Sequence, residues 1–188
     1  LTARTSRYGE RTVVPRDEWS FTADGQSIRH AEAFEPGRIY ELVYIAEDPW
    51  VVGMGLAAIR DAASWLKHGE DHGFGVERVV AVGISQTGRF LRHFLWQGFN
   101  SDVEGRPACE GLMILTAGAG RGSFNHRFAQ PSRDAHRYSA FFYPTDLFPF
   151  ASTSLPDLTG RRFDSLLARI WIPASLPKTF YINTGYEY

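Results

Sequence analysis

The chain has 188 residues, 44% of them hydrophobic and 22% charged, and a formal net charge of −1. This composition is that of a globular protein with its own core, and the small net charge gives no reason to expect nucleic acid or an anionic membrane as a partner. A single cysteine, Cys109, excludes an internal disulfide and a cysteine-rich metal site. No apolar run is long enough to span a bilayer, and no signal-peptide pattern is present.

Residues 1–38 are predicted to form an N-terminal segment with short strands. Thr12–Pro15 and Trp19–Phe21 are rich in β-forming residues, and Asp24-Gly25 is a turn signal. We place the start of the main domain at residue 39, so that residues 39–188 form its core.

A strand, a helix and a second strand are predicted next. Ile39–Ile45 is rich in β-forming residues. Apolar residues recur at three- and four-residue steps from Val52 to Leu66, which predicts a helix that ends at Lys67-His68-Gly69. The apolar run Val79–Val82 suits a strand buried on both faces. Together these elements predict a right-handed parallel βαβ unit.

Two more buried strands are predicted further along, at Leu112–Thr116 and Thr179–Asn183. Before them, a set of apolar residues at helical spacing marks the buried face of another helix: Phe90, Leu91, Phe94 and Leu95. Alternation of strands and helices predicts an α/β fold with an open, mostly parallel sheet and helices on both faces.

Residues 118–178 interrupt this alternation. They are crowded with glycine, proline and aromatic residues, and only Phe163–Ile170 has a helical pattern. So long a connection without secondary structure is usually functional or disordered, and the many aromatic side chains argue against disorder. We predict an insertion that forms a cap or lid over the mouth of the sheet. The alternative is an excursion that fills the side of the domain.

A serine stands where the strand at Val79 turns into the next helix. The sequence Gly83-Ile84-Ser85-Gln86-Thr87-Gly88 has the shape of a nucleophile elbow, which holds a serine hydroxyl at the end of a central strand. There the next backbone N–H, that of Gln86, can stabilise an oxyanion at the helix N terminus. The common pattern has glycine at the position of Thr87, so the match is irregular. The alternative is a serine that caps an ordinary helix.

A serine nucleophile also needs a base and an acid that orients it, and in this fold the chain order is serine, acid, histidine. Glu187 lies just beyond the strand at Thr179 and is the best candidate acid, the alternative being a solvated loop carboxylate. Asp146 and Asp157 are weaker candidates because they lie within the insertion. His126 and His136 precede Glu187, against the expected order.

No histidine follows Glu187, because the sequence stops at Tyr188. The first residue is Leu1 and not methionine, so we expect both ends to be cut. We therefore predict that the histidine lies beyond Tyr188 and that this stretch alone is inactive. A second oxyanion donor is expected from another loop at the carboxyl edge of the sheet.

Three arginines, Arg121, Arg127 and Arg133, lie near the expected edge of the site. They are candidates to bind an acidic group of a substrate, or to tie the insertion down as surface charges, which is the more common role. The sequence contains no zinc-protease motif, no C-x-x-C and no Walker loop. We therefore predict neither a metal nor an organic cofactor.

The segment Gly83–Arg92 resembles the elbow of a bacterial family described as alpha/beta hydrolase domain proteins. Other stretches are similar to the same family: Tyr40–Tyr44, Gly55–Asp61, Phe124–Pro131, Phe142–Asp146 and Tyr186–Tyr188. The resemblance covers most of the chain and implies a serine hydrolase that continues past Tyr188 toward a histidine. It also implies that Ser85 is the nucleophile and that Glu187 lies where an acid is expected.

The activity expected from the sequence is hydrolysis of a carboxylic ester through an acyl-enzyme on Ser85. The substrate is then a small-molecule ester, with no nucleic acid and no membrane span involved. Two alternatives stay open. One is a non-catalytic or truncated module that binds a ligand or partner through the aromatic insertion, and the other is an acyltransferase on the same scaffold.

Overall fold

The computed structural model describes residues 1–6, 8–45, 53–71, 73–122, 124 and 146–187. The chain divides into two compact units, Leu1–Val51 and Val52–Tyr188. Ser85 and Glu187, the two side chains predicted to be catalytic, belong to the second unit.

The first unit is built of short antiparallel strands. A three-stranded sheet of order β2-β1-β5 consists of β1 (Thr2–Arg4), β2 (Thr12–Val13) and β5 (Ile39–Glu41). A hairpin joins β3 (Trp19–Phe21) to β4 (Ile28–His30), with Gly25 in its turn at a φ of +68°. The short strands predicted at Thr12 and Trp19 are therefore confirmed.

The strand at Ile39 is shorter than predicted and has a different partner. It pairs antiparallel with Thr2–Arg4, and Glu41 accepts hydrogen bonds from Arg4 at 2.7 Å and from Arg11 at 2.6 Å. The parallel pairing predicted for this strand in a βαβ unit is therefore wrong. A run of β-forming residues predicts that a strand exists, but the partner depends on contacts distant in sequence.

A three-stranded parallel sheet lies at the centre of the second unit. It has the order β12-β7-β6 and consists of β6 (Val80–Ile84), β7 (Gly111–Leu115) and β12 (Lys178–Ile182). Helix α1 (Gly55–His68) precedes β6, and helix α2 (Gln86–Trp96) follows it. This arrangement confirms the α/β fold with an open parallel sheet.

Helix α1 ends where the sequence predicts. Its side chains Leu56 and Ala63, two turns apart, are buried, whereas Ile59 between them is half exposed. The N–H of Gly69 donates to the carbonyl of Trp65 at 2.7 Å and closes the last turn. Neither described α-helix combines the length and the apolar character that crossing a membrane requires.

The parallel sheet has one buried face and one open face. Leu112 and Ile114 lie in a buried cluster with residues of both helices: Leu56 and Ala63 of α1, and Leu91, Phe94 and Leu95 of α2. Alternate side chains of a strand point to opposite faces. On the open face Val80, Val82 and Ile84 are 56%, 58% and 59% exposed. Both described helices thus contribute to one core, on the buried face of the sheet. The prediction that the strand at Val79–Val82 is buried on both faces is wrong in the described structure, because Val80 and Val82 lie on its open face.

Short antiparallel pairs occupy the described part of the chain between β7 and β12. β8 (Arg121–Gly122) pairs with β9 (Asp146–Leu147), and β10 (Leu155–Pro156) pairs with β11 (Phe163–Asp164). The helix predicted at Phe163–Ile170 is wrong, because the first residues form β11 and the rest form turns. In so short a run, apolar spacing does not separate a helix from turns packed on a core. Residues 125–145 lie outside the described chain, so the cap at 118–178 stays a prediction.

Candidate active site

Ser85 lies at the junction of β6 and α2 in a strained backbone conformation. Its φ is +55° and its ψ is −114°, and its side chain is exposed. Residues with a side chain rarely adopt a positive φ, and such conformations persist only where the surroundings hold them. This sharp reversal from strand to helix is the geometry that a nucleophile elbow requires.

Backbone hydrogen bonds hold Ser85 on both sides. Its N–H donates to the carbonyl of Leu115 on β7 at 2.9 Å, and its carbonyl accepts from the N–H of Arg89 in α2 at 3.0 Å. The residue is therefore attached both to the central sheet and to the first turn of the helix. Neither bond uses its hydroxyl.

The geometry of Ser85 does not fit an ordinary helix cap. A capping serine has an extended backbone, and its hydroxyl accepts a bond from an N–H in the first turn. Ser85 has a positive φ and makes no capping bond with its side chain. The N–H of Gln86 belongs to the first turn of α2, where N–H groups have no acceptor within the helix. An anion beside Ser85 would therefore meet a donor at the positive end of the helix dipole.

The two glycines of the elbow are required by the close crossing of strand and helix. A Cβ on Gly83 would lie 2.5 Å from the carbonyl oxygen of Thr87, and a Cβ on Gly88 would lie 2.7 Å from the Cβ of Ala117. The irregular spacing of the motif thus has a structural reason. In this protein the second close approach occurs at Gly88, and Thr87 has room for a side chain.

Glu187 lies beyond the carboxyl end of β12, two strands away from Ser85 in the sheet order. The carboxyl ends of the parallel strands share one edge, so Glu187 follows a strand that ends at the same edge of the sheet as the strand before Ser85. The Glu187 carboxylate accepts a hydrogen bond from the N–H of Thr184 at 2.9 Å and another from its hydroxyl at 3.3 Å. In this structure the carboxylate therefore closes a local turn, and no hydrogen bond joins it to Ser85.

The weaker acid candidates differ in what the structure describes. Asp157 closes the turn of the β10–β11 hairpin, where its carboxylate accepts from the N–H and the hydroxyl of Thr159 at 3.0 and 2.7 Å. That role is structural. The side chain of Asp146, and the whole of His126 and His136, lie outside the described part of the chain.

A histidine that the sequence analysis overlooked, His93, is buried on α2. Its Nδ1 lies 3.0 Å from the carbonyl oxygen of Gly122 and 3.1 Å from a guanidinium nitrogen of Arg121. Burial, and then the neighbouring Arg121 charge, lower the pKa of His93 from 6.5 to about 4. His93 is therefore neutral at pH 7 and faces Gly122, so it is not placed to take a proton from Ser85. No motif surrounds it, and a lone histidine in a helical pattern gives no signal.

Arg121 ties the segment after β7 to the rest of the unit. It is buried, donates to the carbonyl of Phe148 at 2.8 Å, and stacks on the ring of Trp96 at 3.5 Å. Of the two roles that the sequence leaves open for this arginine, the contacts fit the structural one. Arg127 and Arg133 lie outside the described residues.

Arg92 of α2 is a second buried arginine that ties the chain after β7 to the rest of the unit. No pattern in the sequence singles it out. It donates to the carbonyls of Ala119 at 2.6 Å and Phe150 at 2.8 Å. Helix α2 thus has Ser85 at its N terminus, and its C-terminal half binds the chain at Ala119 and at Phe150, on both sides of residues 125–145.

Thr116 adds a second strained residue beside Ser85. It directly follows β7, its φ is +45°, and its N–H donates to the carbonyl of Ile182 on β12 at 2.7 Å. Ile84 and Leu115 are paired, so Ser85 and Thr116 occupy the next position on neighbouring strands. Positive φ is rarer still for a β-branched residue, and nothing in the sequence indicates it.

Comparison with known proteins supplies one match. The family model described as "Alpha/beta hydrolase domain" matches residues 12–174, which include the elbow, both described helices and two strands of the parallel sheet. Neither a curated protein nor a solved structure gives a significant match. The strained serine between β6 and α2 and the parallel sheet agree with the family model, and the chain belongs to the alpha/beta hydrolase domain family.

Proposed function

We propose that the protein is a serine hydrolase that cleaves carboxylic esters through an acyl-enzyme on Ser85. The observation that carries the proposal is the backbone of Ser85, at a φ of +55° between a central strand and a helix, with its hydroxyl unused for capping. A conformation this costly is characteristic of functional sites. Membership of the alpha/beta hydrolase domain family supports hydrolase chemistry in general.

In the proposed reaction the Ser85 oxygen attacks the ester carbonyl carbon while a base takes the hydroxyl proton. Negative charge develops on the carbonyl oxygen, and the N–H of Gln86 donates to it at the start of α2. Collapse of this intermediate breaks the bond to the leaving alcohol, which receives the proton and leaves an acyl group on Ser85. Water then attacks the acyl-enzyme by the same route and releases the acid.

The proposal requires a histidine as the base and assigns Glu187 to orient it. The described residues bring no histidine to Ser85, so the base must come from outside them. Glu187 would then have to give up its bonds to Thr184, or share them, to reach the imidazole. The topology supports this role, since the carboxyl ends of β6 and β12 lie at the same edge of the sheet.

The test is a comparison of Ser85→Ala with the wild type in the full-length protein. We expect wild-type protein to react with a fluorophosphonate probe and to hydrolyse p-nitrophenyl acetate. Ser85→Ala should lose the labelling and reduce kcat by at least about a thousandfold, because the attacking oxygen is gone. The matched control is Ser154→Ala, which removes the hydroxyl of another exposed serine and should change neither result.

Three outcomes would contradict the proposal. Turnover unchanged in Ser85→Ala would exclude Ser85 as the nucleophile. Wild-type protein that fails to react with the probe would favour a binding module without an activated serine. Rapid acyl transfer to an added alcohol, with slow hydrolysis, would favour an acyltransferase on the same serine.

A further inference from the structure

Thr87 makes an unusual pair of hydrogen bonds across the elbow. Its hydroxyl accepts from the N–H of Ile84 at 2.8 Å and lies 2.8 Å from the carbonyl oxygen of the same residue, to which it donates. Ile84 directly precedes Ser85, and Thr87 is the second residue of α2. One hydroxyl therefore connects the last residue of the strand to the first turn of the helix and spans Ser85.

The position of β6 explains why a hydroxyl is needed. In a parallel sheet, successive residues direct their N–H and carbonyl groups to opposite sides of the strand. Ser85 donates to Leu115 on β7, so the groups of Ile84 point away from β7. β6 is the last strand in the described sheet order, and no described strand meets those groups. A threonine hydroxyl is both a donor and an acceptor, so it satisfies both, whereas a glycine satisfies neither.

We propose that Thr87 is a positioning residue for the nucleophile: its hydroxyl holds the backbone of Ser85 in the reactive conformation. This inference rests on the function proposed above. A residue at a φ of +55° relaxes toward negative φ unless its neighbours prevent it. Such a rotation would move the Ser85 oxygen and the N–H of Gln86 together, because both are attached to the same turn. Thr87 acts through Ser85 and touches no substrate.

The experiment compares Thr87→Val with Thr87→Ser in the full-length protein. Valine keeps the shape and the β-branch of threonine but lacks the hydroxyl, whereas serine keeps the hydroxyl and lacks the methyl group. We expect Thr87→Ser to react with the fluorophosphonate probe within about twofold of the wild-type rate. Thr87→Val should slow labelling and lower kcat by roughly ten- to a hundredfold, as misplaced reacting groups do, with KM nearly unchanged.

The control is Thr159→Val, which removes a hydroxyl bonded to Asp157 in the β10–β11 hairpin, outside the elbow, and should leave the labelling rate unchanged. Far-UV circular dichroism and the melting temperature show whether each variant folds. If Thr87→Val fails to fold, Thr87→Ala replaces it in the same comparison with Thr87→Ser.

Three results would overturn the inference. The first is a Thr87→Val variant that reacts with the probe at the wild-type rate, which would show that the hydroxyl is not needed. The second is an equal loss in Thr87→Ser and Thr87→Val, which would assign the effect to the methyl group. The third is wild-type protein that does not react at all, in which case the proposed function fails with it. If labelling requires Ser85 but does not require the Thr87 hydroxyl, the positioning role of Thr87 is rejected and the proposed function of Ser85 stands.

Discussion

Ser85 and Thr116 directly follow two neighbouring strands. Their φ values of +55° and +45° are ones that residues with a side chain rarely adopt. Residues in such sparsely populated conformations cost on the order of 1–3 kcal/mol each relative to a relaxed residue. Ser85 has a proposed reason for this cost, because the turn exposes its hydroxyl. Thr116 has none assigned, although it is hydrogen bonded to the strand that leads to Glu187.

Replacing Thr116 by glycine should stabilise the protein. Glycine adopts a φ of +45° without a steric penalty, and that gain exceeds its extra entropy in the unfolded chain. We expect the free energy of unfolding to rise by about 1 kcal/mol, which raises the Tm by roughly 2–4 °C in a chain of this size. The measurement is thermal unfolding followed by circular dichroism.

Thr153→Gly is the comparison for Thr116→Gly, because Thr153 is exposed and is not among the residues with positive φ. It should leave the Tm unchanged or lower it. A lower Tm in Thr116→Gly would mean that packing of the Thr116 side chain outweighs the backbone strain.

The elbow is the element that joins sheet and helix. Its shape depends on two glycines, each at a point where two segments of the chain come too close for a side chain. At one, Gly83 faces the backbone of Thr87, and at the other, Gly88 faces Ala117. The residues after β7 thus pack directly under the first turn of α2, which bears the N–H of Gln86. A change at this contact acts on the position of the serine as well as on stability.

The variant Gly88→Ala should lower both stability and activity. The new Cβ would lie 2.7 Å from the Cβ of Ala117 and 3.2 Å from the carbonyl oxygen of Gly83, so the helix must shift. Overpacking of this kind typically costs about 1–3 kcal/mol. We expect a lower free energy of unfolding in urea titrations and a fluorophosphonate labelling rate reduced by at least about tenfold.

Gly55→Ala is the matched control, because a Cβ on Gly55, at the start of α1, meets no atom of the described residues within 4 Å. It should be neutral or slightly stabilising in the same assays. If Gly88→Ala has the same free energy of unfolding as the wild type, the first turn of α2 can move away from Ala117 without loss of stability.

On the scale of the second unit, α2 connects the elbow to the insertion. Its N terminus follows Ser85, and its buried side chains Arg92 and His93 contact the chain on both sides of the residues that lie outside the described structure. His93 matters for the stability of the whole unit because it is buried as a neutral ring beside the positive charge of Arg121.

The folded state should lose stability as the pH falls from 6.5 to about 4. The unfolded chain binds a proton at His93 near pH 6.5, whereas burial and Arg121 lower the pKa of the folded residue to about 4. Protonation therefore favours unfolding in this window, and the loss levels off below it. We expect the contribution to reach up to about 3 kcal/mol. The measurement is urea unfolding at a series of pH values.

His93→Gln should remove that part of the pH dependence, because glutamine keeps a polar side chain but does not titrate. Other titrating groups are common to both proteins and cancel in the difference. Parallel stability curves for wild type and His93→Gln between pH 6.5 and pH 4 would disprove the role of His93.

Local patterns predicted most of the parallel sheet and both helices of the second unit. The apolar runs before Gly83 and after Glu110 correspond to β6 and β7, and Gly69 ends α1 as expected. Predictions failed where the outcome depends on distant partners. The strand at Ile39 pairs with Thr2–Arg4, and the apolar spacing at Phe163 belongs to a hairpin strand followed by turns.

The elbow shows how the two kinds of information divide. The amino-acid sequence was enough to predict that a lone serine follows a strand and precedes a helix, with Glu187 after a later strand, because strand and helix periodicity and chain order are local properties. The positive φ of Ser85, the contact of Gly88 with Ala117 and the bond between the Thr87 hydroxyl and Ile84 became visible only in the folded protein. These features depend on where β7 and α2 cross the turn, and that crossing is set by packing between residues distant in sequence.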